Sequence, residues 1–397
     1  MALALGLMNV LTYALTVLAA RRLGPAGYGT FAAVMALVLV LNILSLGLTA
    51  ATARRIAQSP DRVGLTARAG LAGAWTVGLP AAALVLVLVP ALTRVVHADS
   101  WATLALLAPI VLILALIGSR VGVLQGMERW SLYSLVFITL GVTRLVAGWL
   151  GLDLTGTPLG VMSGVTAGFV VTLLATEWAV QRAHVPPWTG PVHRRAVVGL
   201  LREGSSATSV LGGFFLLSTV DVLIAQARLG AQPAGLYAGG LILTKAVMFL
   251  PYFVSVLIFP RLARGGSVHL QRWGLAGVVG LGLLVAAASA LLPTLTMTFI
   301  GGGRYVEVRT TLWAFAVLGT AFAGIQLLVN TALARRHTRV GWIVWGALVP
   351  YVVFGLRSHS WRDLLQVSLA VSLTVLVILT VISWRDRVTA RDLTADA

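Results

Sequence analysis

Arg144, Asp221 and Lys245 stand inside long apolar runs, near 131–151, 205–227 and 235–260, and they are the first residues to ask for chemistry. A charge near the centre of a bilayer costs roughly 2.5 to 3.5 kcal/mol on insertion scales. All three side chains should therefore face protein or a water-filled interior. Asp221 lies about ten residues before the hairpin that follows its run and Lys245 about fourteen after it, so at ~1.5 Å per residue their depths differ by about 6 Å. A lysine side chain can bridge that gap. The two read either as a structural ion pair between neighbouring helices or as a site for a coupling ion or proton, and the sequence leaves both readings open.

Other chemistries find no residues to carry them. There is no cysteine, which removes disulfides, thiol nucleophiles and thiolate zinc sites. The six histidines, at 97, 184, 193, 269, 337 and 359, show neither H-E-x-x-H nor any other ligand spacing. Of the 12 acidic residues only Asp221 is clearly deep, so no carboxylate pair for acid–base catalysis is evident. Gly301-Gly-Gly-Arg304 lacks the spaced second glycine and the Lys-Ser/Thr of a phosphate loop. Asp61-Arg-Val-Gly64 matches only part of the loop motif of major facilitator transporters, and chance explains it better. No metal, nucleotide or redox cofactor is expected. The reading is not an enzyme, with an integral-membrane glycosyl or lipid transferase kept as the enzymatic alternative.

Composition dictates the elements that must position these residues. Hydrophobic residues make up 58% of the chain and charged residues 10%, with a mean hydropathy of +0.95. Soluble domains are about a quarter charged, so a water-soluble globular protein is excluded. Disorder is excluded by the recurrence of apolar blocks of bilayer length. The blocks lie near 2–20, 30–53, 66–92, 102–126, 131–151 and 157–180, then 205–227, 235–260, 273–300, 308–333, 340–356 and 364–384. Helices are the open structures that satisfy backbone polar groups in lipid. The fold class is therefore all-α integral membrane, with about twelve transmembrane helices. The first block has no basic region before it and reads as a span, not a cleaved signal peptide.

The net charge of +17 rests on 28 arginines and the single lysine, Lys245. With a cytoplasmic N-terminus, 19 arginines fall in inside segments and 8 in outside ones, which agrees with the positive-inside rule and puts both termini in the cytoplasm. Arginines placed between apolar blocks orient a membrane protein, so no nucleic-acid partner is expected. Tryptophans 101, 130, 149, 178, 273, 361 and 384 fall at span ends, as interfacial anchors do.

The longest loop, 182–204, is basic and contains proline. It divides the chain into an N-terminal lobe, 1–181, and a C-terminal lobe, 205–397. Arg22-Leu-Gly-Pro-Ala-Gly-Tyr-Gly29 resembles Arg228-Leu-Gly-Ala-Gln-Pro-Ala-Gly-Leu-Tyr237, and an offset near 206 to 208 recurs at Arg54 with Arg261 and at Arg129 with Arg336. Six spans per half give a parallel repeat about an axis along the membrane normal, and transport sites usually lie at such an interface. Gly156, Gly160, Gly164 and Gly168 on span 6, and Gly118, Gly122 and Gly126 on span 4, form small-residue strips that let neighbouring backbones approach. Pro80, Pro109, Pro251, Pro293 and Pro350 are expected to bend or break their spans.

Arg21-Arg-Leu-Gly-Pro-Ala-Gly-Tyr-Gly-Thr-Phe31, followed by Leu46-Gly-Leu-Thr-Ala-Ala-Thr-Ala-Arg-Arg55, resembles the start of polysaccharide (O-antigen, Wzx-type) flippases of the multidrug/oligosaccharidyl-lipid/polysaccharide exporter superfamily. Asp221-Val, Leu229-Gly, Gly235-Leu-Tyr237, Pro251, Phe259-Pro-Arg261 and Phe299-Ile-Gly-Gly-Gly-Arg-Tyr305 continue the resemblance over nearly the whole chain. Relative to that family, this sequence starts directly on its first span and is short. The resemblance implies two six-helix lobes around a central cavity in a bacterial inner membrane. It implies movement of undecaprenyl-diphosphate-linked oligosaccharide from inner to outer leaflet by alternating access. Arg54, Arg55 and Arg261 are carried over as cavity cations, and Arg144 joins them, since arginine binds diphosphate through paired hydrogen bonds. The implied partners are the lipid-linked oligosaccharide, the bilayer, and glycosyltransferases or a polymerase of the same pathway. A multidrug exporter and a lipid-linked peptidoglycan precursor flippase of the same superfamily are the alternatives.

Overall fold

The computed structural model describes residues 1–187, 189–249, 268–334 and 339–395. Pro251, Arg261 and Arg336 lie outside the described residues, so nothing follows about their contacts. Among the described residues the regular structure is helical. Eight stretches are long and apolar enough to cross a membrane, or nine when Thr208–Leu217 and Val220–Leu229 are joined across their bend.

The first stretch lies in α1 (Ala2–Gln58) and is two spans. Gly24 breaks it with φ 70° and ψ 179°, followed by Pro25. That backbone region is open to glycine because it has no Cβ. The packing register shows the return. Met8 and Leu15 meet Gly141 and Gly148 of α5 (Trp130–Thr155), whereas Ser45, Thr49 and Ala53 meet Gly118, Gly122 and Gly126 of α4 (Leu107–Gly126). Both registers ascend together, and α4 and α5 are consecutive helices joined by the short turn at 127–129. The two halves of α1 are therefore antiparallel. With α2 (Val63–Val96), the short α3 (Trp101–Ala105) and α6 (Pro158–Arg182), they make the first lobe.

The second lobe contains α7 (Arg194–Leu217), α8 (Val220–Leu229) and α9 (Ala231–Met248), then Val268–Leu291, Pro293–Ile300, a 3-10 segment Gly302–Thr311, Leu312–Ala334, Arg339–Gly355 and Trp361–Ala395. Gly230, between α8 and α9, has φ 77° and ψ 169°. This repeats the break at Gly24, 206 positions later, and gives the sequence repeat a backbone counterpart.

Glycine strips set the helix spacing of the first lobe. A Cβ on Gly118 would overlap the Ser45 carbonyl, and one on Gly122 would lie 2.7 Å from the Thr49 oxygen. Gly160 and Gly164 press in the same way on the carbonyls of Gly151 and Ala147 in α5. Lipid offers no hydrophobic drive between helices, so this backbone contact supplies the association. Gly156 departs from the expected ladder: it caps α5 at φ 64°, because the helix must stop where α6 turns back.

Two spans are broken, the seventh without a proline to announce it and the ninth at Pro293, where a break was expected. The seventh breaks at 218–219, where the Ser218 and Thr219 hydroxyls both donate to the Phe215 carbonyl, at 3.1 and 2.6 Å, in competition with the backbone ladder. The ninth breaks at Leu292, ahead of Pro293, which has no N–H to continue the helix. By contrast Pro80 and Pro350 stay inside continuous helices. Half of the expected linker is also helical, since α7 already starts at Arg194. The last helix begins with a reciprocal cap in which Ser360 Oγ accepts from Asp363 N–H at 3.1 Å and Asp363 Oδ2 from Ser360 N–H at 3.0 Å.

Gly164→Leu should abolish folding or lower the thermal midpoint steeply, because overpacking costs about 1–3 kcal/mol even where side chains can move, and here backbone is in the way. Gly346→Leu, whose Cβ would meet nothing within 4 Å, should leave the midpoint unchanged. Melting both variants in detergent tests the assignment of these strips to packing.

Candidate functional site

Asp221 is fully buried at the start of α8. Its Oδ1 accepts from the Val222 amide at 2.9 Å and its Oδ2 from the Tyr237 hydroxyl at 3.0 Å, and the same hydroxyl lies 2.9 Å from Ser368 Oγ. The hairpin at Gly230 sets this meeting. Asp221 is nine residues before the glycine and Tyr237 seven after, so they sit within about 3 Å of the same depth. Lys245, fifteen after, is about 9 Å away along the axis by the same arithmetic. Accordingly, the ion pairs among the described residues are Arg22–Asp153, Arg55–Glu203 and Arg120–Glu177, and Lys245 is in none of them.

Lys245 does lie within electrostatic range of Asp221 in its own lobe and of Arg144 in the other. Arg144, on α5, is in none of those ion pairs either. Its Nη2 is 3.5 Å from the Met35 sulfur, its guanidinium lies 5.7 Å from the Phe169 ring centre, and its buried Nε has no hydrogen-bond partner. Two cations from opposite lobes thus lie within electrostatic range of each other, and arginine's unmatched donor is costly unless an anion supplies an acceptor.

The arginine-rich end of the bundle is arranged differently from the sequence expectation. Arg55 is engaged rather than free: its Nε and Nη2 donate to the two carboxylate oxygens of Glu203 at 3.0 and 2.7 Å, and its Nη1 donates to the Ala196 carbonyl at 2.8 Å. Arg55 belongs to the first lobe and Glu203 to α7. Arg54 is exposed beside them. Arg55's hydrogen bonds hold the Glu203 carboxyl below the usual glutamate range; partial burial opposes this, and the charges of Arg55 and Arg54 add to it. Nothing can be said of Arg261, which is outside the described residues.

At the opposite end the lobes are stitched together. Gly29 lies against Gly235, a Cβ on the first falling 3.0 Å from the Cα of the second, and a Cβ on Gly235 would overlap the Pro25 carbonyl. Gly29 and Gly235 are 206 apart, so each meets its own repeat equivalent and the pseudo-two-fold axis passes between them. Tyr305, fully buried, donates to the Ala20 carbonyl at 3.2 Å and stacks edge-on against Tyr28. Arg21 donates to the Thr298 carbonyl across the same seam. Gln226 is buried beside Gly29 with both amide atoms unpartnered.

Sequence reasoning missed Glu203, Tyr237 and Ser368 as partners. The usable signals were the scarcity of acids, which makes Glu203 one of only 12, and the tyrosine inside the hairpin motif, read as part of the turn when its hydroxyl is the working group.

A duplicated bundle of membrane-crossing helices, with cations and one acid buried at its middle, is the architecture of a multi-pass membrane transporter. The solved structures it resembles are of that class. A multidrug resistance MATE family transporter of the MOP superfamily in its inward-facing conformation matches at 15% identity, over 98% of this chain and 95% of that one, with a TM-score of 0.70. The lipid II flippase MurJ in an inward closed conformation matches at 12% identity, over 96% and 87%, with a TM-score of 0.74. The eukaryotic MATE transporter AtDTX14 matches at 13%, over 96% and 94%, at 0.67. At these identities the likeness is one of fold. Curated protein sequences give no match. The chain belongs to the polysaccharide biosynthesis protein family, whose sequence profile matches residues 1–265.

Because the Glu203 carboxyl is pulled down in the folded state, its contribution to stability is complete above the ordinary glutamate pKa and is lost as pH falls through the lowered one. The thermal midpoint of the wild type in detergent should therefore converge on that of Glu203→Gln as pH drops from 6 to 3. The difference at pH 6 should be small, since half-exposed pairs are worth about 1 kcal/mol or less.

Proposed function

We propose that this protein moves a lipid-diphosphate-linked oligosaccharide across a bacterial inner membrane, from the cytoplasmic to the outer leaflet, by alternating access between its two lobes. The observation that carries the reading is Arg144, whose buried Nε has no hydrogen-bond partner among the described residues, with the Lys245 charge of the other lobe within electrostatic range. A diphosphate supplies the acceptors that the guanidinium lacks, in the forked geometry arginine binds best. Membership of the polysaccharide biosynthesis family supports a glycan cargo. In this reading Arg54, Arg55 and Arg261 form the cytoplasmic entrance, and Asp221 with Tyr237 and Ser368 is the place for a coupling cation or proton. Energy then comes from ion gradients or the membrane potential, worth about 2.3 kcal/mol per charge per 100 mV. The MATE-like fold keeps a second reading in view, export of cationic small molecules, which would use Asp221 as its binding carboxylate.

Reconstitution in liposomes with a fluorescent undecaprenyl-diphosphate glycan distinguishes the two. The wild type should accelerate transbilayer movement and Arg144→Ala should slow it roughly tenfold or more, the loss of a charged hydrogen bond worth about 1.5–3 kcal/mol. Efflux of cationic dyes that needs Asp221, with no glycan movement, would decide for the drug exporter. For topology, a reporter active only in the periplasm should stay silent when fused after Ala397; activity there would reverse the orientation that the arginine distribution predicts.

A further inference from the structure

Glu203 occupies Arg55 in the way a phosphate would. Both carboxylate oxygens are taken by one edge of the guanidinium, at 3.0 and 2.7 Å, the fork-to-fork geometry that carboxylate and phosphate share. The pair is not sealed off: the Arg55 side chain is 23% exposed and that of Glu203 39%, so a ligand can reach both. Arg54, exposed alongside and close enough to act on the Glu203 charge, belongs to none of the ion pairs among the described residues. Two arginines facing one carboxylate leave a surplus positive charge.

The same ion pair joins the lobes. Arg55 closes the second half of α1 and Glu203 sits on α7, two helices that continue in contact through Gly204 on the Gly47 carbonyl, at 2.8 Å for a Cβ there, and Gly212 on Ile43. Arg55 also caps this seam by donating to the Ala196 carbonyl. Whatever removes Glu203 from Arg55 therefore loosens α7 from α1 at the end of the bundle where the seam begins.

We propose that Glu203 is a built-in stand-in for the diphosphate of the cargo: it holds Arg55 until a diphosphate on Arg54 and Arg55 displaces it, and the displacement releases α7 from the first lobe. The inference rests on the lipid-diphosphate reading above and adds the residue that couples recognition to opening. A diphosphate has more charge and more acceptor oxygens than a carboxylate, so it wins the exchange while a neutral or singly acidic headgroup does not.

The test measures binding of undecaprenyl diphosphate to the purified protein in phosphatidylcholine nanodiscs, together with hydrogen exchange over 196–205. Inorganic pyrophosphate and phosphatidylglycerol serve as comparison ligands. Glu203→Gln should bind undecaprenyl diphosphate about fivefold more tightly than wild type, the equivalent of ~1 kcal/mol. Glu203→Asp, too short to keep both hydrogen bonds, should fall between and covers the case that Glu203→Gln does not fold. Arg55→Lys should weaken binding, and in that background Glu203→Gln should give no gain. Ligand should raise exchange over 196–205 in the wild type, and the exchange of Glu203→Gln should start high. Pyrophosphate should reproduce the order of the variants more weakly; phosphatidylglycerol should not. If Glu203→Gln binds no better and ligand leaves exchange unchanged, Glu203 is a static brace and the inference is overturned while the cargo reading stands. If no variant binds undecaprenyl diphosphate, both fall together.

Discussion

The approach of two peptide backbones, Gly29 against Gly235 with the Pro25 carbonyl over the second glycine, decides how the two halves of this protein sit. Any side chain at Gly235 would push the hairpins apart. In a bilayer that contact cannot rest on water's exclusion, because lipid tails are as apolar as the helices they surround. It has to rest on distance, and only glycine allows the distance. Once the hairpins touch, Tyr305 reaches Ala20 and Tyr28, while at the other end the Arg55–Glu203 ion pair sits beside the approach of Gly204 to the Gly47 carbonyl.

The two ends are therefore held by different physics. The hairpin end is set by backbone approach, with the exposed Arg21 donating to the Thr298 carbonyl at its edge. The arginine-rich end carries the partly exposed Arg55–Glu203 ion pair. Between them the buried charges ignore the repeat. The position 206 before Asp221 is Leu15, and that before Lys245 is Leu39; the position 206 after Arg144 is Pro350. The acid and its Tyr237–Ser368 chain are thus a property of the second lobe alone, and the guanidinium without an acid a property of the first.

Most of that frame could be read from the sequence. Apolar blocks of bilayer length give the spans, Gly24 and Gly230 give the hairpins, and the strips at 118, 122, 126, 160, 164 and 168 all become helix contacts. The break at 218–219 was not legible, because adjacent hydroxyls compete with the helix only by local hydrogen bonding, whereas Pro293 marked the one at Leu292. Partners were harder still. Whether Asp221 meets Tyr237 or Lys245 turns on a few ångströms of hairpin register, and Arg55 finds Glu203 only because α7 starts inside what composition marks as a linker. Ionisable residues announce themselves in an apolar sequence; their neighbours do not.

The meeting of Gly29 with its own counterpart carries a statement about ancestry. Equivalent positions touch across an axis when two identical chains form a two-fold dimer. Six spans return a chain to its starting side, so two copies of a half-length ancestor would have inserted with the same orientation and paired through this hairpin. In that dimer an aspartate at the place of Asp221 would have come in pairs, as would a glutamate at the place of Glu203. The covalent joining of the halves is what let each of these charges exist once, so that a frame built by duplication carries them unpaired.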